Sequence, residues 1–422
     1  MIKHIFKQLW TLRRKNIWIV SELFLVFVIL WYIVDFFSVL GITAATPTGT
    51  DITNVYRVVY ATHKSDNPKY ISYEEDREAP GRNFLRMVER LREHPSVASV
   101  SMGEYFYPYC ASSTSSTFAR DTLRTGCQVL RVSPEYFSMF GVRPYEGGSP
   151  EVLALAIQKE NSVILSKKAE QAFFGEASGM GGSIMTRSGQ DTVYIQVSGI
   201  CNDMKRHEHT RLQRFALFLF NENSLYDMDE EDIWGDVDIC IKIRPDAATG
   251  DFPERFKEEM KQSLSIGNFF LEDIIPLSVY RERYLGSANI SSTLKYSIAL
   301  AAFFLINIFL GVLGTFWLRI ERRRSEIGLR VAMGSTKQQL MRLMFSEGLC
   351  LLFVASLPAL IICVNLVATG FMSTRYADFT PLRFLLNTVF TYLLFALAIL
   401  LSTWYPAKRS ASIQPAEALH YE

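Results

Sequence analysis

The chain has 422 residues, with 44 basic and 43 acidic side chains and a formal net charge of +1. This balance excludes a nucleic-acid-binding surface that covers the whole protein. An apolar content of 49% with 21% charged residues also excludes a disordered or collagen-like chain. The apolar residues are very unevenly placed along the chain, and their positions indicate the fold class.

The first 16 residues predict a basic amphipathic helix at the inner headgroup layer of a membrane. Their apolar side chains recur at helical spacing, and Lys3 and Lys7 lie off that stripe. The alternative is that this segment is only the cytoplasmic start of the first membrane span. The apolar positions are Ile2, Ile5, Phe6, Leu9 and Trp10.

Four long stretches with almost no charge predict transmembrane helices, because roughly 20 apolar residues cross the hydrocarbon layer. Only the first contains acidic residues, Glu22 and Asp35. We expect both at the membrane interfaces, with a polar contact at a dimer interface as the alternative. Buried helices of a soluble protein seldom run so far without a charge, and the first stretch is too long for a signal peptide. The predicted spans are residues 17–42, 295–318, 348–372 and 384–405.

Basic residues concentrate in the first 16 residues, in segment 319–347 and in the tail, 406–422. The positive-inside rule therefore predicts that both termini and segment 319–347 are cytoplasmic, and that residues 43–294 are outside. The predicted fold class is a membrane protein with four transmembrane α-helices, one plus three. A large α+β extracytoplasmic domain is inserted between spans one and two.

The outer region, 43–294, predicts an α+β domain because strand patterns alternate with helical ones. We expect two subdomains, one from about 50–128 with 235–285 and the other from about 129–230. A Ser/Thr-rich insertion is expected at 111–117, and a Gly-rich loop at 175–183. The predicted strands are 55–60, 97–102, 129–132, 162–165, 193–200, 215–220 and 237–243, and the main helices 83–93, 167–174 and 252–265.

No catalytic or metal-binding constellation is evident in the sequence. It has no phosphate loop, no G-x-S-x-G elbow and no H-E-x-x-H motif. His207-Glu208-His209 is interpreted as a solvated polar turn, since nothing completes a metal site around it. Cys110, Cys127, Cys201 and Cys240 lie in the outer region, where disulfides form, and Cys110 with Cys127 is the favoured pair.

The cytoplasmic segment 319–347 predicts a helix, a break and a second helix. The first helix is predicted to stop at Gly334. Ser335 and Thr336 are then expected to cap the second helix, with Gln338 and Gln339 three residues on, as in a capping box. Braced by two spans, such a segment would pass a push from a soluble partner to the membrane. The alternative is a plain basic loop that anchors the topology.

Residues 321–349 read ERRRSEIGLRVAMGSTKQQLMRLMFSEGL, and residues 405–422 read YPAKRSASIQPAEALHYE. The first segment resembles the signature of the MacB/FtsX-type ABC permease family, in which E-I-G-x-R-x-A-x-G-[AS] joins the second and third spans. The second resembles the closing motif of that family, with His420 where Arg is commoner. Residues 129–148 and 163–182 of the outer region resemble the family more weakly. The matching tail positions are Pro406, Ala407, Ser410, Ala411, Pro415, Glu417, Ala418 and Leu419.

The resemblance implies the permease subunit of an ABC transporter that forms a homodimer or heterodimer. Two copies of a cytoplasmic ATPase would bind it and use ATP and Mg, while this chain would bind no cofactor and would not be an enzyme by itself. Because only 16 residues precede the first span, we expect that ATPase in trans. The implied ATPase-coupling residues are Glu326, Ile327, Gly328, Arg330, Ala332, Gly334 and Ser335.

The function implied by the resemblance is mechanotransmission in the bacterial cell inner membrane. ATP-driven motion would be relayed across the bilayer to a MacB-like periplasmic core domain, for export or handling of a peptide, antibiotic or lipoprotein. Two alternatives are a peptide-sensing membrane receptor and a regulator of a cell-wall hydrolase. An exposed groove lined by Tyr105, Phe106, Tyr107 and Tyr109 would favour direct ligand binding. A flat charged surface would favour a periplasmic partner protein.

Overall fold

The computed structural model describes residues 13–188, 191–287, 290–321, 329–330, 333–372 and 379–410. The chain divides into two compact units. We call the first, Met1–Thr43 with Ser292–Glu422, the helical unit, and the second, Ala44–Ser291, the head. The predicted N-terminal amphipathic helix lies almost wholly outside the described residues.

The described residues of the helical unit form four long helices, which we call spans one to four. Each includes a stretch that is long and apolar enough to cross a membrane: Ile17–Ala45, Ser292–Thr315, Gln338–Ala368 and Pro381–Ser402. Span three differs from the predicted range 348–372, because its helix begins at Lys337 and stops at Ala368. Gly370, with φ of 71°, follows that end. The complete helices are Arg13–Ala45, Ile290–Glu321, Lys337–Ala368 and Pro381–Ser410.

Spans one, three and four enclose a common apolar core. Trp31 and Phe27 of span one are fully buried in it, against Phe395 of span four. Small side chains such as Ala355 and Ala359 on span three let the helices approach closely. Span two contributes far less to the packing: 6% of the residues in its most apolar window are buried, against 44% in span one.

The head is built from ten strands and seven α-helices within the described residues. The strands are β1 (Val55–Thr62), β2 (Val97–Glu104), β3 (Thr114–Arg120), β4 (Leu123–Val132), β5 (Ser162–Ser166), β6 (Ser183–Ser188), β7 (Asp191–Cys201), β8 (Phe215–Leu219), β9 (Val237–Ile243) and β10 (Phe269–Pro276). The helices are α1 (Ala79–Glu93), α2 (Tyr136–Phe140), α3 (Pro150–Ala156), α4 (Lys167–Phe174), α5 (Glu230–Asp236), α6 (Phe252–Met260) and α7 (Leu277–Ser287).

One half of the head is an antiparallel sheet in the order β10-β1-β9-β2. With α1 after β1 and α6 after β9, this is the β-α-β-β-α-β arrangement of a ferredoxin-like unit, interrupted between β2 and β9. Both helices cover one face of the sheet, where Phe84, Leu91 and Phe256 are buried against Ile241. The amphipathic spacing of α1 creates that apolar face.

The other half is inserted between β2 and β9 and forms a closed ring of strands. The pairings run β4-β3-β6-β7-β5-β8, and β8 returns to pair in parallel with β4. Phe118, Val163 and Phe173 are buried in the core of this half. The subdomain boundary expected near residue 128 falls within β4, which pairs with both β3 and β8.

Several elements of the head were not predicted from the sequence. β3 occupies most of the expected Ser/Thr-rich insertion, and β6 begins where the Gly-rich loop was expected to end. β10 and α7 had no predicted counterpart. The predicted helix 252–265 stops at Met260.

Candidate functional site

The predicted coupling segment is described at residues 329–330 and again from Met333 into span three. Gly334 has φ of 92°, in the left-handed region that favours glycine. The amide of Ser335 donates to the carbonyl of Arg330 at 3.0 Å, which is the six-to-one bond of a Schellman helix end. The helix therefore stops at Gly334, as the sequence predicts. Glu326, Ile327, Gly328 and Ala332 lie outside the described residues.

Thr336 is the N-cap of span three. Its hydroxyl accepts from the amide of Gln339 at 3.3 Å, and the side-chain oxygen of Gln339 accepts from the amide of Thr336 at 3.0 Å. This is a complete capping box. Gln339, not Gln338, is the reciprocal partner. Helix end and helix start are thus separated by two residues, so the break has little freedom to bend.

The C-terminal motif is described only at its start. Pro406 lies within the helix Pro381–Ser410. The motif positions Pro415, Glu417, Ala418 and Leu419 lie outside the described residues.

Both acidic residues of span one have partners on other spans of the same chain. Asp35 is 4% exposed and accepts from Arg383 Nε at 2.7 Å, from Arg383 Nη2 at 2.6 Å and from Asn387 Nδ2 at 2.5 Å. Glu22 accepts from the hydroxyl of Thr315 on span two at 2.9 and 3.0 Å. Asp35 is the buried one of the two carboxylates, and a buried charge needs bonded partners of this kind.

The asparagines of the spans divide into two kinds. Neutral polar side chains in apolar helices are expected to bond to neighbouring helices, and Asn387 does so through Asp35. Asn307 and Asn365 instead donate to carbonyls of their own helices, Phe303 and Ile361, both at 2.8 Å. The bonds of these two side chains therefore stay within one helix, which differs from that expectation.

The aromatic segment after β2 is packed into the head and does not line an exposed groove. Phe106, Tyr107 and Tyr109 are between 1% and 8% exposed. A cavity of about 40 Å³ lies beside them. Tyr105 and Tyr109 have φ of 49° and 66°, a left-handed conformation that is rare for bulky residues. The segment is therefore held in place by its surroundings.

Tyr280 anchors helix α7 to strand β1 and to the aromatic segment after β2. Its hydroxyl accepts from Arg57 of β1 at 2.8 Å, and its ring packs against Tyr107 with centroids 5.5 Å apart. Arg57 also pairs with Asp238 of β9 at 2.7 Å. Burial raises the pKa of Asp238 in spite of this cation. The pair of half-buried Arg57 and buried Asp238 therefore joins α7 to the two inner strands of the four-stranded sheet.

Glu208 makes a second anchor for α7. It accepts from Arg281 Nε at 2.7 Å, and from the hydroxyl of Tyr109 at 3.0 Å. Burial opposes ionisation, but the bonds from its own backbone, Arg281 and Tyr109 outweigh it and lower the pKa of Glu208. Burial and Glu208 raise the pKa of Tyr109 to about 12.

The neighbours of Glu208 give no metal site. The ring of His207 packs on Tyr284 of α7, with centroids 5.6 Å apart. Among the described residues, no group of three potential ligands lies close enough to hold a metal ion. The sequence suggests a solvated polar turn, but His207 and Glu208 both contact α7.

The outer cysteines are buried free thiols. Cys110 lies in the core beneath α2, and Cys127 lies in the core of the strand ring. The favoured pair is therefore not a disulfide in this structure. Burial raises the pKa of Cys127 to about 11, so this thiol stays protonated at neutral pH.

Residues 298–415 match the family model described as FtsX-like permease C-terminal. The chain carries an FtsX-like permease domain. This match includes spans three and four and the segment with Gly334, and it confirms for these residues the resemblance drawn from the two sequence motifs. No curated protein matches the chain.

Two solved structures of regions outside the membrane are similar to part of the chain. One is the periplasmic region of MacB from Actinobacillus actinomycetemcomitans, at 14% identity and a TM-score of 0.34, covering 56% of this chain and 94% of that one. The other is the extracellular domain of the noncanonic ABC-type transporter YknZ from Gram-positive bacteria. It has 14% identity and a TM-score of 0.31, and the match covers 52% of this chain and 99% of that one.

Proposed function

We propose that this chain is the permease subunit of an ABC transporter in the bacterial cell inner membrane, and that it relays ATP-driven movement to the head. The observation that carries the proposal is the FtsX-like permease domain, residues 298–415, with its helix end at Gly334 and its capping box at Thr336. A short break directly before the long helix of span three suits a docking point for a motor protein.

The described part of the coupling segment offers an apolar contact to such a partner. Leu329 and Met333 are 52% and 72% exposed, and a separation of four residues places them on one face of a helix. The proposed ATPase would cover this face, with Arg330 and Ser335 beside it. Two ATPase copies on two permease subunits, with ATP and Mg bound only by the ATPase, complete the proposed assembly.

Chain connectivity provides the route to the head. Helix α7 ends at Ser287 and the helix of span two begins at Ile290, so only two residues separate them along the chain. Tyr280 and Arg281 fix α7 to the sheet and to Glu208. A movement of span two would therefore reach α7 directly along the chain. Residues 43–294 would work outside the membrane, with both termini inside.

The proposed substrate is a peptide, an antibiotic or a lipoprotein. An exposed aromatic groove would have favoured direct ligand binding by the head, but Phe106, Tyr107 and Tyr109 are buried. No observation on the described residues favours a receptor or a hydrolase regulator over a transporter subunit. We therefore propose export or handling of substrate as the function.

Capture of an ATPase tests this proposal. The full-length chain, tagged and solubilised from its native membrane, should retain an ABC ATPase. Gly334→Val should lower its yield several-fold, because a branched side chain does not tolerate φ of 92°. Gln338→Ala, four positions on and outside the reciprocal capping pair, is the matched control and should retain the ATPase. Equal ATPase yields from all three would contradict the coupling role.

A further inference from the structure

The loop between β7 and β8 contacts both places where the chain enters or leaves the head. We call residues 202–214 the clasp loop. An isolated bridge closes it, in which the amide of Gln213 donates to the carbonyl of Met204 at 3.1 Å. Its outer turn contains Lys205, which contacts the chain after span one, and Glu208, which contacts α7.

Lys205 binds the chain that follows span one. Its amide donates to the carbonyl of Thr48 at 2.8 Å, and its Nζ donates to the carbonyl of Thr46 at 2.9 Å. Thr46 directly follows the last residue of the span-one helix, Ala45. Lys205 is only 4% exposed, and burial lowers the pKa of its amine.

The backbone beside this contact fits closely. Gly49 has φ of 81°, and a Cβ built on it would lie 2.4 Å from the carbonyl oxygen of Asp203. Only glycine allows the two backbones to approach in this way. The chain after span one is thus seated on the clasp loop by several contacts.

Glu208 binds the helix that precedes span two. Its carboxylate receives the guanidinium of Arg281 on α7, and its other oxygen accepts from the hydroxyl of Tyr109. His207 adds a ring contact to Tyr284, one turn further along α7. A guanidinium–carboxylate pair with several donors fixes direction as well as distance.

We infer that the clasp loop ties the chain leaving span one to the helix entering span two, so that the two connections move as one. Lys205 and Glu208 are three residues apart within a closed loop, so a displacement of one contact shifts the other. The inference rests on the proposed function only in that ATP-driven movement would be what displaces the two connections. The tie itself is a property of the head and needs no ATPase.

Amide hydrogen exchange on the full-length chain in lipid nanodiscs tests the tie. Arg281→Met breaks the contact to α7 and keeps the length of the side chain. Exchange should then speed up by about threefold in α7 and also at the Lys205 amide, which bonds to Thr48. Lys205→Met should in turn speed exchange in α7. Such reciprocal effects are expected only if the two contacts are coupled.

Controls separate coupling from local damage. Glu282→Gln, on the exposed surface of the same helix, should change neither region. The exchanged pair Glu208→Arg with Arg281→Glu should restore slow exchange at both. If Arg281→Met fails to fold, Tyr284→Leu breaks the ring contact with His207 and gives the same test. Faster exchange in α7 with no change at Lys205 would overturn the inference, whatever the outcome of ATPase capture.

Discussion

Asp35 and Arg383 are 348 positions apart, yet they are joined by two parallel hydrogen bonds, Nε to Oδ1 at 2.7 Å and Nη2 to Oδ2 at 2.6 Å. Both side chains are about 5% exposed, and Asn387 adds a third bond to the carboxylate. The pair therefore fixes span one to span four, and with span three they share one core. Span two is attached to span one through the weaker, neutral donor Thr315.

Removing one partner of this buried pair should destabilise the helical unit strongly. Arg383→Met leaves Asp35 buried without its cation and should cost about 3 kcal/mol. The double variant Asp35→Leu with Arg383→Met should be less destabilised than either single variant, because it leaves no isolated charge. Unfolding in a mixed-micelle denaturant titration measures these free energies.

A neutral polar residue in a span provides the control for that series. Within the described residues, the side chain of Asn365 donates to the carbonyl of Ile361 in its own helix. Asn365→Ala should change the free energy of unfolding by less than about 1 kcal/mol. Losses of equal size for Asn365→Ala and Arg383→Met would contradict the role given to the ion pair.

The capping box should set where span three begins. Thr336→Ala removes the acceptor for the Gln339 amide and should cost about 1 kcal/mol. Amide exchange at Gln339 and Leu340 should become faster, while exchange in the middle of the helix stays unchanged. Gln338→Ala should leave these amides as they are. A wild-type exchange rate at Gln339 in Thr336→Ala would show that the hydroxyl does not cap the helix.

The head should lose the Glu208 contribution to stability under acidic conditions. The pKa of Glu208 is lowered in the folded state, so its contribution is present above the unfolded pKa of about 4.5 and disappears as pH falls through the folded value. At pH 7, Glu208→Gln should lower stability by about 0.5 kcal/mol, since the ion pair is partly exposed. Thermal melting at pH 7 and below pH 4 measures the difference.

The pH series is judged by the difference in stability between wild type and each variant. The gap between wild type and Glu208→Gln should narrow on acidification, while Glu282→Gln should follow wild type throughout. A gap that stays constant from pH 7 to below pH 4 would mean that the charge of Glu208 does not stabilise the head.

Local patterns predicted local structure well. β9 and α4 occur at the residues expected from alternation and from helical spacing, and Gly334 and Thr336 end and start helices as their types suggest. β3 was missed because its sequence, TSSTFAR, has no apolar alternation and becomes a strand by pairing with β4. The partners of Asp35 and Glu208 were also missed, because pairs so distant in sequence leave no local pattern.

The proposed topology can be tested by cysteine labelling in cells, in a variant without the six native cysteines. A cysteine at Asp76, an exposed position of the head, should react with an impermeant maleimide added from outside. A cysteine at Lys337, at the start of span three, should react only after the cells are permeabilised. Labelling of the Lys337 position in intact cells, with a protected Asp76 position, would reverse the proposed orientation.

The central claim is that nucleotide turnover inside the cell moves the head outside. The most direct measurement is amide exchange on the full-length chain, reconstituted in nanodiscs with its ATPase, with and without ATP trapped by vanadate. The account predicts changed exchange in α7 and in the clasp loop on ATP trapping, and no change when ATP is added without the ATPase. Identical exchange in both regions in the trapped and nucleotide-free complexes would contradict it.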